Sequence, residues 1–216
     1  MEPMRPPAAA QPPRRDYAPI ARGIVVLALI ALAVGAWLHW SWHQPFMRVP
    51  RTVTELSQLP APSWLPVPVD GVEPDDIADT WGAPRGRDRT HEGVDIFAKR
   101  GTPVRSATRG VVLSVRDSGL GGRQVWVLGP GHERHYYAHL DDWAFALAAG
   151  DIVQPGSMLG TVGTTGNARG TPPHLHYGIY SAGGALNPVP RLQAAGPSPE
   201  DEEPSGADPA PTVIRR

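Results

Sequence analysis

Pro172-Pro173-His174-Leu175-His176-Tyr177-Gly178-Ile179-Tyr180 carries the clearest structural pattern in this sequence. After Pro173 the stretch is rich in aromatic and aliphatic residues, which favour a half-buried β-strand. Side chains alternate between the two faces of a strand, so His174 and His176 lie on one face and Leu175 lies on the other. Their spacing along the strand, about 6–7 Å, allows both imidazoles to serve one metal site without both being ligands. A strand that merely contains two histidines is the alternative at this point.

A second histidine lies upstream, in Thr90-His91-Glu92-Gly93-Val94-Asp95-Ile96. The pair His-Glu suggests the helical zinc motif H-E-x-x-H, in which two histidines lie one helical turn apart. Gly93 weakens a helix, however, and Val94 and Ile96 favour a strand. The fifth position of the motif, counted from His91, is also Asp95 rather than a histidine, so the helical motif is excluded.

In an extended conformation the same segment supplies part of a metal site. His91, Gly93 and Asp95 then share one face, and Gly93 leaves room for another group to approach the backbone. A histidine, a carboxylate and one imidazole from His174 or His176 make three nitrogen and oxygen ligands. Three protein ligands with an open position for water are typical of catalytic zinc.

The rest of the folded part consists of short predicted strands separated by turns. Strands are predicted at residues 110–116, 123–128 and 135–140, with turns at 117–122 and at Pro130-Gly131. This pattern is typical of antiparallel hairpins, and long helical periodicity is missing. We therefore predict a mainly β domain at residues 75–192, an antiparallel, sandwich-like sheet fold with one core. In a regular strand, His135, Tyr137 and His139 would share a face.

Eight short motifs follow one another through this domain: Trp81-Gly82-Ala83-Pro84-Arg85, Arg89-Thr90-His91-Glu92-Gly93-Val94-Asp95-Ile96, Gly101-Thr102-Pro103-Val104, Gly110-Val111-Val112, Tyr137-Ala138-His139-Leu140, Gly150-Asp151-Ile152-Val153, Gly160-Thr161-Val162-Gly163-Thr164-Thr165-Gly166 and His174-Leu175-His176. In this order and spacing they resemble the lysostaphin/LytM-type zinc metallopeptidases, which cut peptide cross-links in peptidoglycan. The resemblance covers about residues 65–190 and implies a LytM-type β domain.

The resemblance also implies a role for five side chains. His91, Asp95 and His176 would be the ligands of one Zn²⁺ ion per domain. His139 and His174 would lie beside the metal without binding it, as the general base and general acid of a hydrolysis by zinc-activated water. Histidine suits proton transfer because its ordinary pKa is near neutrality. The two roles are assigned to the pair jointly, without deciding which histidine is the base.

Residues 23–43 are predicted to form a transmembrane signal-anchor. They contain no Asp, Glu, Lys or Arg, and about 20 apolar residues are enough to cross a bilayer core of about 30 Å. Three tryptophans at the far end match an aromatic belt. Arginines precede the segment and none follows it until Arg48, so residues 1–22 are predicted to be a basic disordered tail in the cytoplasm. A signal peptide cleaved near Val34-Gly35-Ala36 is the alternative.

The remaining segments and the composition add further limits. Residues 44–74 are rich in proline and are predicted to form an extended linker. Residues 193–216 are rich in proline and acidic residues, and we predict a disordered tail. The net charge of −1 gives no electrostatic basis for binding nucleic acid. The sequence contains no cysteine, so thiolate ligands and disulfides are excluded.

Three functions fit these observations. The first is a single-pass protein of the cytoplasmic membrane whose zinc endopeptidase domain, on the periplasmic side, hydrolyses the peptide stems of peptidoglycan. The alternative is a catalytically silent relative that regulates another cell-wall hydrolase, and the five filled site positions argue against it. The third is a metal-dependent peptidase that acts on some other peptide. Export of the domain towards the cell wall argues against this third function. The sequence leaves open which cross-link is cut, the protein partners and the oligomeric state.

Overall fold

A computed structural model describes residues 18–86 and 88–196, with side chains from residue 22 onwards. The described residues divide into two compact units between Arg48 and Val49. Most of the predicted basic tail (residues 1–17) and most of the predicted acidic tail (residues 197–216) lie outside the described residues.

The first unit contains one long apolar helix, α1, at Ala18–Trp42. It begins five residues before the predicted membrane segment, so residues 18–22 are helical instead of belonging to a disordered tail. Within α1, the 21 residues Arg22–Trp42 are long and apolar enough to cross a membrane. A signal sequence near an N-terminus has the same length and composition. A short 3-10 turn at Pro45–Met47 follows α1.

The segment predicted to be an extended linker differs from that prediction. A second helix, α2, occupies Arg48–Gln58. Pro50 is its third residue, where the missing N–H removes no hydrogen bond within the helix. Leu56 is buried on α2, and Leu65 and Val69 further along are part of the main hydrophobic core. Proline content therefore favoured a linker, whereas the apolar residues between the prolines are packed.

Apart from short 3-10 turns, the remaining elements of the described residues are ten strands and a short helix. Their bounds are β1 Val94–Phe97, β2 Pro103–Arg105, β3 Gly110–Ser118, β4 Gly122–Leu128, β5 Arg134–Ala138, β6 Leu140–Trp143, β7 Ile152–Val153, β8 Met158–Val162, β9 His174–Ser181, β10 Gly184–Leu186 and α3 Val189–Leu192. The larger sheet has the order β1-β9-β5-β4-β3-β7, with β10 also paired to β9, and the smaller sheet has the order β2-β8-β6. All of the strand pairs are antiparallel, which confirms the predicted fold class.

One hydrophobic core draws on both sheets. On β9, Leu175, Tyr177 and Ile179 are fully buried, as alternation along a strand requires. The smaller sheet contributes Leu140, Leu159 and others to the same cluster. Burying one face of each sheet in a common core gives the sandwich-like packing that the strand pattern predicts.

Two of the predicted strands are confirmed and the third is wrong in one respect. Strands β3 and β4 cover residues 110–116 and 123–128. The predicted strand 135–140 is interrupted at His139, which has φ 64°. At this residue the chain leaves the larger sheet at the end of β5 and enters the smaller sheet with β6. A left-handed residue redirects the backbone, so one regular strand across this point is impossible.

Packing of residues 49–75 on the domain predicts a difference between two leucines in that segment. Leu65 is 1% exposed and its N–H donates to the Arg191 carbonyl at 3.0 Å, whereas Leu59 is 42% exposed. Leu65→Ala leaves a cavity and should lower the free energy of unfolding by about 2–5 kcal/mol. Leu59→Ala is the matched control and should cost less than about 1 kcal/mol. Unfolding of the full chain in detergent measures the free energy of unfolding of both variants. Equally small losses in the two variants would support the extended linker instead.

Candidate metal centre and groove

The pairing of β1 with β9 brings two of the predicted metal ligands together. Asp95 on β1 lies directly opposite His176 on β9. His91 precedes β1, and Gly93 separates it from the strand. A Cβ at position 93 would lie 2.6 Å from the Tyr177 carbonyl oxygen and 2.7 Å from Cε1 of His176. The expectation that Gly93 admits a close neighbour is therefore confirmed, and the neighbour is β9 with its histidine ring.

Three donor atoms converge at this point. His91 Nε2 lies 2.8 Å from His176 Nδ1 and 3.0 Å from Asp95 Oδ1, and His176 Nδ1 lies 3.2 Å from Asp95 Oδ1. Together they form a group that could hold a metal ion. Zinc–ligand bonds of about 2.0–2.1 Å in a tetrahedral site separate the ligand atoms by about 3.3 Å. The observed separations are close to that value, so the three side chains fit one zinc ion.

Contacts with Thr80 prepare two of these side chains for a metal. The Thr80 carbonyl oxygen lies 2.7 Å from His91 Nδ1. A carbonyl accepts only, so Nδ1 carries the proton and Nε2 presents its lone pair to the site. The Thr80 hydroxyl oxygen accepts a hydrogen bond from the Asp95 N–H at 3.0 Å. One residue therefore supports both the imidazole and the strand that carries the carboxylate.

The Asp95 carboxylate is held in its ionised form. Burial raises its pKa, but the neighbouring His176 and His91 side chains and the Arg85 guanidinium together outweigh burial, and the pKa of Asp95 is well below its ordinary value. Oδ1 faces the two imidazoles, and Oδ2 accepts a hydrogen bond from Arg85. An ionised carboxylate is the form that binds a metal.

His139 and His174 lie beside the three donor atoms. Their ring centres are 5.1 Å apart, and the ring centre of His139 is 5.9 Å from that of His176. His174 Nε2 lies 3.9 Å from Asp95 Oδ1. The Nδ1 atoms of His139 and His174 face the carbonyls of Thr165 at 2.9 Å and Pro172 at 2.8 Å. Each Nδ1 therefore carries a proton, and in the neutral form of either ring Nε2 is the acceptor.

His139 is neutral at neutral pH. Burial lowers its pKa, and the nearby His176 and His174 lower it further, to about 4. A neutral imidazole with a free Nε2 is able to accept a proton from a reacting group. The structure thus brings together all five predicted site residues: three form a group that could hold a metal ion, and His139 and His174 lie next to it.

The prediction that His135, Tyr137 and His139 share one face of a strand is wrong for His139, because the strand is interrupted there. His135 and Tyr137 lie on the core side of β5 and are fully buried. His135 Nδ1 is 2.7 Å from the Tyr177 hydroxyl, and burial, with a smaller contribution from Arg191, lowers the pKa of His135 to about 3. The Tyr137 hydroxyl oxygen accepts a hydrogen bond from the Ala107 N–H at 2.9 Å. Both residues are therefore structural, and His139 reaches the site only because its φ is positive.

A groove of about 470 Å³ contains the site. Its lining comes from the segment before β1, the turn between β3 and β4, strands β5 and β9, and the loop before β9. The lining residues are Arg85, Asp88, Arg89, Thr90, His91, Glu92, Asp95, Leu120, Gly121, Tyr136, Ala138, His139, Asn167, Ala168, Thr171, His174, His176 and Tyr180. Tyr136 is one of the groove residues that the sequence pattern did not single out, although alternation from a buried Tyr137 places it on the groove side.

Comparisons with known proteins find relatives that match the domain containing this site. The model of Peptidase family M23 matches residues 89–188. The chain is 40% identical over 126 residues to the L-Ala–D-Glu endopeptidase of Bacillus subtilis (strain 168), which covers 53% of this chain and 39% of that protein. It is 35% identical over 112 residues to lysostaphin of Staphylococcus simulans, which covers 49% of this chain and 22% of that protein. The chain thus spans less than half the length of each of these relatives.

The fold agrees with a solved structure of one of these proteins. The catalytic domain of the antimicrobial peptidase lysostaphin from Staphylococcus simulans is 30% identical to this chain, with a TM-score of 0.50. The match covers 56% of this chain and 96% of that domain. Nearly the whole of a catalytic domain of this type is therefore present, with a His/Asp/His group in its groove, and this chain belongs to peptidase family M23.

Proposed function

We propose that this chain is a membrane-anchored zinc metalloendopeptidase that hydrolyses peptide cross-links of bacterial peptidoglycan. The observation that carries the proposal is the convergence of His91 Nε2, Asp95 Oδ1 and His176 Nδ1 within 3.2 Å of one another, at an open groove. No other group of this kind occurs among residues 18–86 and 88–196. His91, Asp95 and His176 would hold one Zn²⁺ ion.

The ion, when bound, supplies Lewis-acid activation of water and of the scissile carbonyl. The protein supplies the proton transfers. Nε2 of His139 or His174 accepts the proton of the attacking water, and the pair returns a proton to the leaving amine. Because the Nδ1 atoms of both histidines face backbone carbonyls, their orientation is fixed before the substrate binds. Arg85 holds the second oxygen of Asp95 and so keeps Oδ1 directed at the two imidazoles.

The family supports a peptide bond of the cell wall as the substrate. Relatives of this chain include proteins named L-Ala–D-Glu endopeptidase, DD-carboxypeptidase/endopeptidase and glycyl-glycine endopeptidase. These names cover three different bonds, so membership of the family leaves the bond open. All three are peptide hydrolases, which is the reaction that the five site residues fit.

The anchor is the second part of the proposal. Residues 23–43, which lie in α1 as far as Trp42, would cross the cytoplasmic membrane once, with the N-terminus in the cytoplasm and the peptidase domain on the periplasmic side. The peptidase domain would begin with the packed residues from about 49 onwards.

Zinc binding is predicted to depend on the three donor residues. The purified full chain should contain one zinc ion per molecule, and His91→Ala should contain less than about one tenth of that, because two ligands hold the ion weakly. His132 has φ 58° in an exposed turn, so His132→Asn suits the backbone and should keep full zinc content. Elemental analysis after dialysis measures both variants. Equal zinc in both would exclude the site described above.

Cleavage is predicted to need the two remaining histidines. The zinc-loaded full chain in detergent, incubated with purified peptidoglycan, should release muropeptides whose masses identify the bond. His139→Ala and His174→Ala should each lower the rate by about 10²–10⁴-fold while keeping zinc, and a chelator should stop cleavage. Mass spectrometry of the soluble fragments reads out the result. A zinc-replete wild type that releases nothing would favour the catalytically silent regulator.

The anchor makes a separate prediction about cells. A chain tagged at its C-terminus should stay with the membrane fraction after a salt wash and keep the mass of the uncleaved protein. Replacing three leucines of α1, Leu27, Leu29 and Leu32, by lysine should prevent insertion, because a charged side chain at mid-membrane costs about 2.5–3.5 kcal/mol. A shorter soluble protein with an N-terminus near residue 36 would show a cleaved signal peptide instead.

A further inference from the structure

Tyr136 differs from the other tyrosines that the structure describes. Three of them use their hydroxyl groups within the protein: Tyr137 with the Ala107 N–H, Tyr177 with His135 Nδ1, and Tyr180 with the Glu92 carbonyl at 3.3 Å. The Tyr136 hydroxyl has no hydrogen-bond partner among the described residues, and it is not enclosed. It belongs to the lining of the groove.

The ring of Tyr136 is held in one orientation. Trp126 is its cross-strand neighbour on β4, and the two rings stack with their centres 4.3 Å apart and a 27° angle between their planes. The neighbour on the β9 side is Gly178, which has no side chain to displace the ring. The Tyr136 ring also forms a T-shaped contact with His176, with the ring centres 5.7 Å apart and a 69° angle between the ring planes. The ring is therefore held in one orientation beside His176, in the groove that contains the metal site.

Gly121 leaves the room that the hydroxyl needs. A Cβ at position 121 would lie 1.9 Å from the Tyr136 hydroxyl oxygen. The Gly121 carbonyl in turn accepts a hydrogen bond from the His139 N–H at 2.9 Å. The turn that lies against the hydroxyl of Tyr136 is thus the same turn that holds the backbone of His139.

We propose that Tyr136 is a substrate-binding residue whose hydroxyl donates a hydrogen bond to a backbone carbonyl oxygen of the peptide in the groove. The inference rests on the proposed function. A peptide substrate presents a carbonyl acceptor at every residue, and His139 and His174 face the groove with acceptor nitrogens. A phenol has an ordinary pKa of about 10 and is a donor at neutral pH. Because the ring is already fixed, little side-chain entropy is lost when the substrate binds.

Binding without turnover tests this assignment. The full chain in detergent, with zinc removed by a chelator, is titrated with a soluble cross-linked muropeptide, and the fluorescence of Trp126 and its neighbours reports binding. Tyr136→Phe keeps the stacked ring and removes the hydroxyl, so Kd should rise about 3–10-fold, the contribution of one hydrogen bond. Gly121→Ala should weaken binding similarly, because the added Cβ displaces the hydroxyl.

Tyr137→Phe is the matched control. Its hydroxyl is committed to the core, so this variant should unfold at a lower temperature and keep the Kd of the wild type. An unchanged Kd for Tyr136→Phe would overturn the proposal and leave Tyr136 with only a packing role beside His176. Equal weakening by Tyr136→Phe and Tyr137→Phe would also overturn it, since a general loosening of the sheet would explain both.

Kinetics of the zinc-loaded protein separate this inference from the proposed function. Tyr136→Phe should raise KM about 3–10-fold and leave kcat within about twofold of the wild type, as expected for uniform binding. A fall in kcat at unchanged KM would contradict a role in binding. If the wild type binds the muropeptide through Tyr136 but does not cleave it, the proposed function fails and the binding role stands. If the wild type cleaves the muropeptide and Tyr136→Phe has the same KM, the proposed function stands and the binding role of Tyr136 fails.

Discussion

The register of one strand pair determines the site. Asp95 lies opposite His176 because β1 and β9 pair with Val94 opposite Tyr177 and Phe97 opposite His174. A slip of one residue along β9 would turn its two histidines into the core and its apolar residues into the groove. That slip is prevented by Leu175, Tyr177 and Ile179, which are fully buried. Burial of one such side chain contributes about 1.5–3 kcal/mol, so the hydrophobic core fixes the positions of the polar donor atoms on the other face.

The second constraint is the passage between the two sheets at His139. Its positive φ costs about 1–2 kcal/mol for a residue other than glycine, and two hydrogen bonds hold it: the N–H to the Gly121 carbonyl and Nδ1 to the Thr165 carbonyl. A regular strand would have left the imidazole on the core side with His135. The unfavourable backbone conformation therefore places an imidazole next to His174, which is the kind of position where strain accompanies function.

The parts of the site that depend on alternation along strands could be predicted from the sequence. Alternation put His174 and His176 on one face, and the strand-forming residues after His91 excluded the helical zinc motif. An extended chain also predicted that Gly93 leaves room for a close neighbour. The break in the strand at His139 could not be predicted, because a histidine with positive φ has no signature in the sequence, unlike a glycine. The proline-rich segment after α1 was predicted to be a linker from its proline content, although Val49, Val53 and Leu56 in α2 have the i, i+4, i+7 spacing of a helical face. The roles of the histidines as ligand or base came from the family motifs alone, since both kinds of residue have the same side chain.

The most direct measurement of the central claim is anomalous diffraction at the zinc absorption edge from crystals of the zinc-loaded chain. One zinc peak is predicted, with His91 Nε2, Asp95 Oδ1 and His176 Nδ1 at about 2.0–2.2 Å and with His139 and His174 beyond bonding distance. A peak bound by His139 or His174 in place of one of these three would contradict the division between ligands and proton-transfer residues. The absence of a peak at these three atoms would contradict the metal site itself.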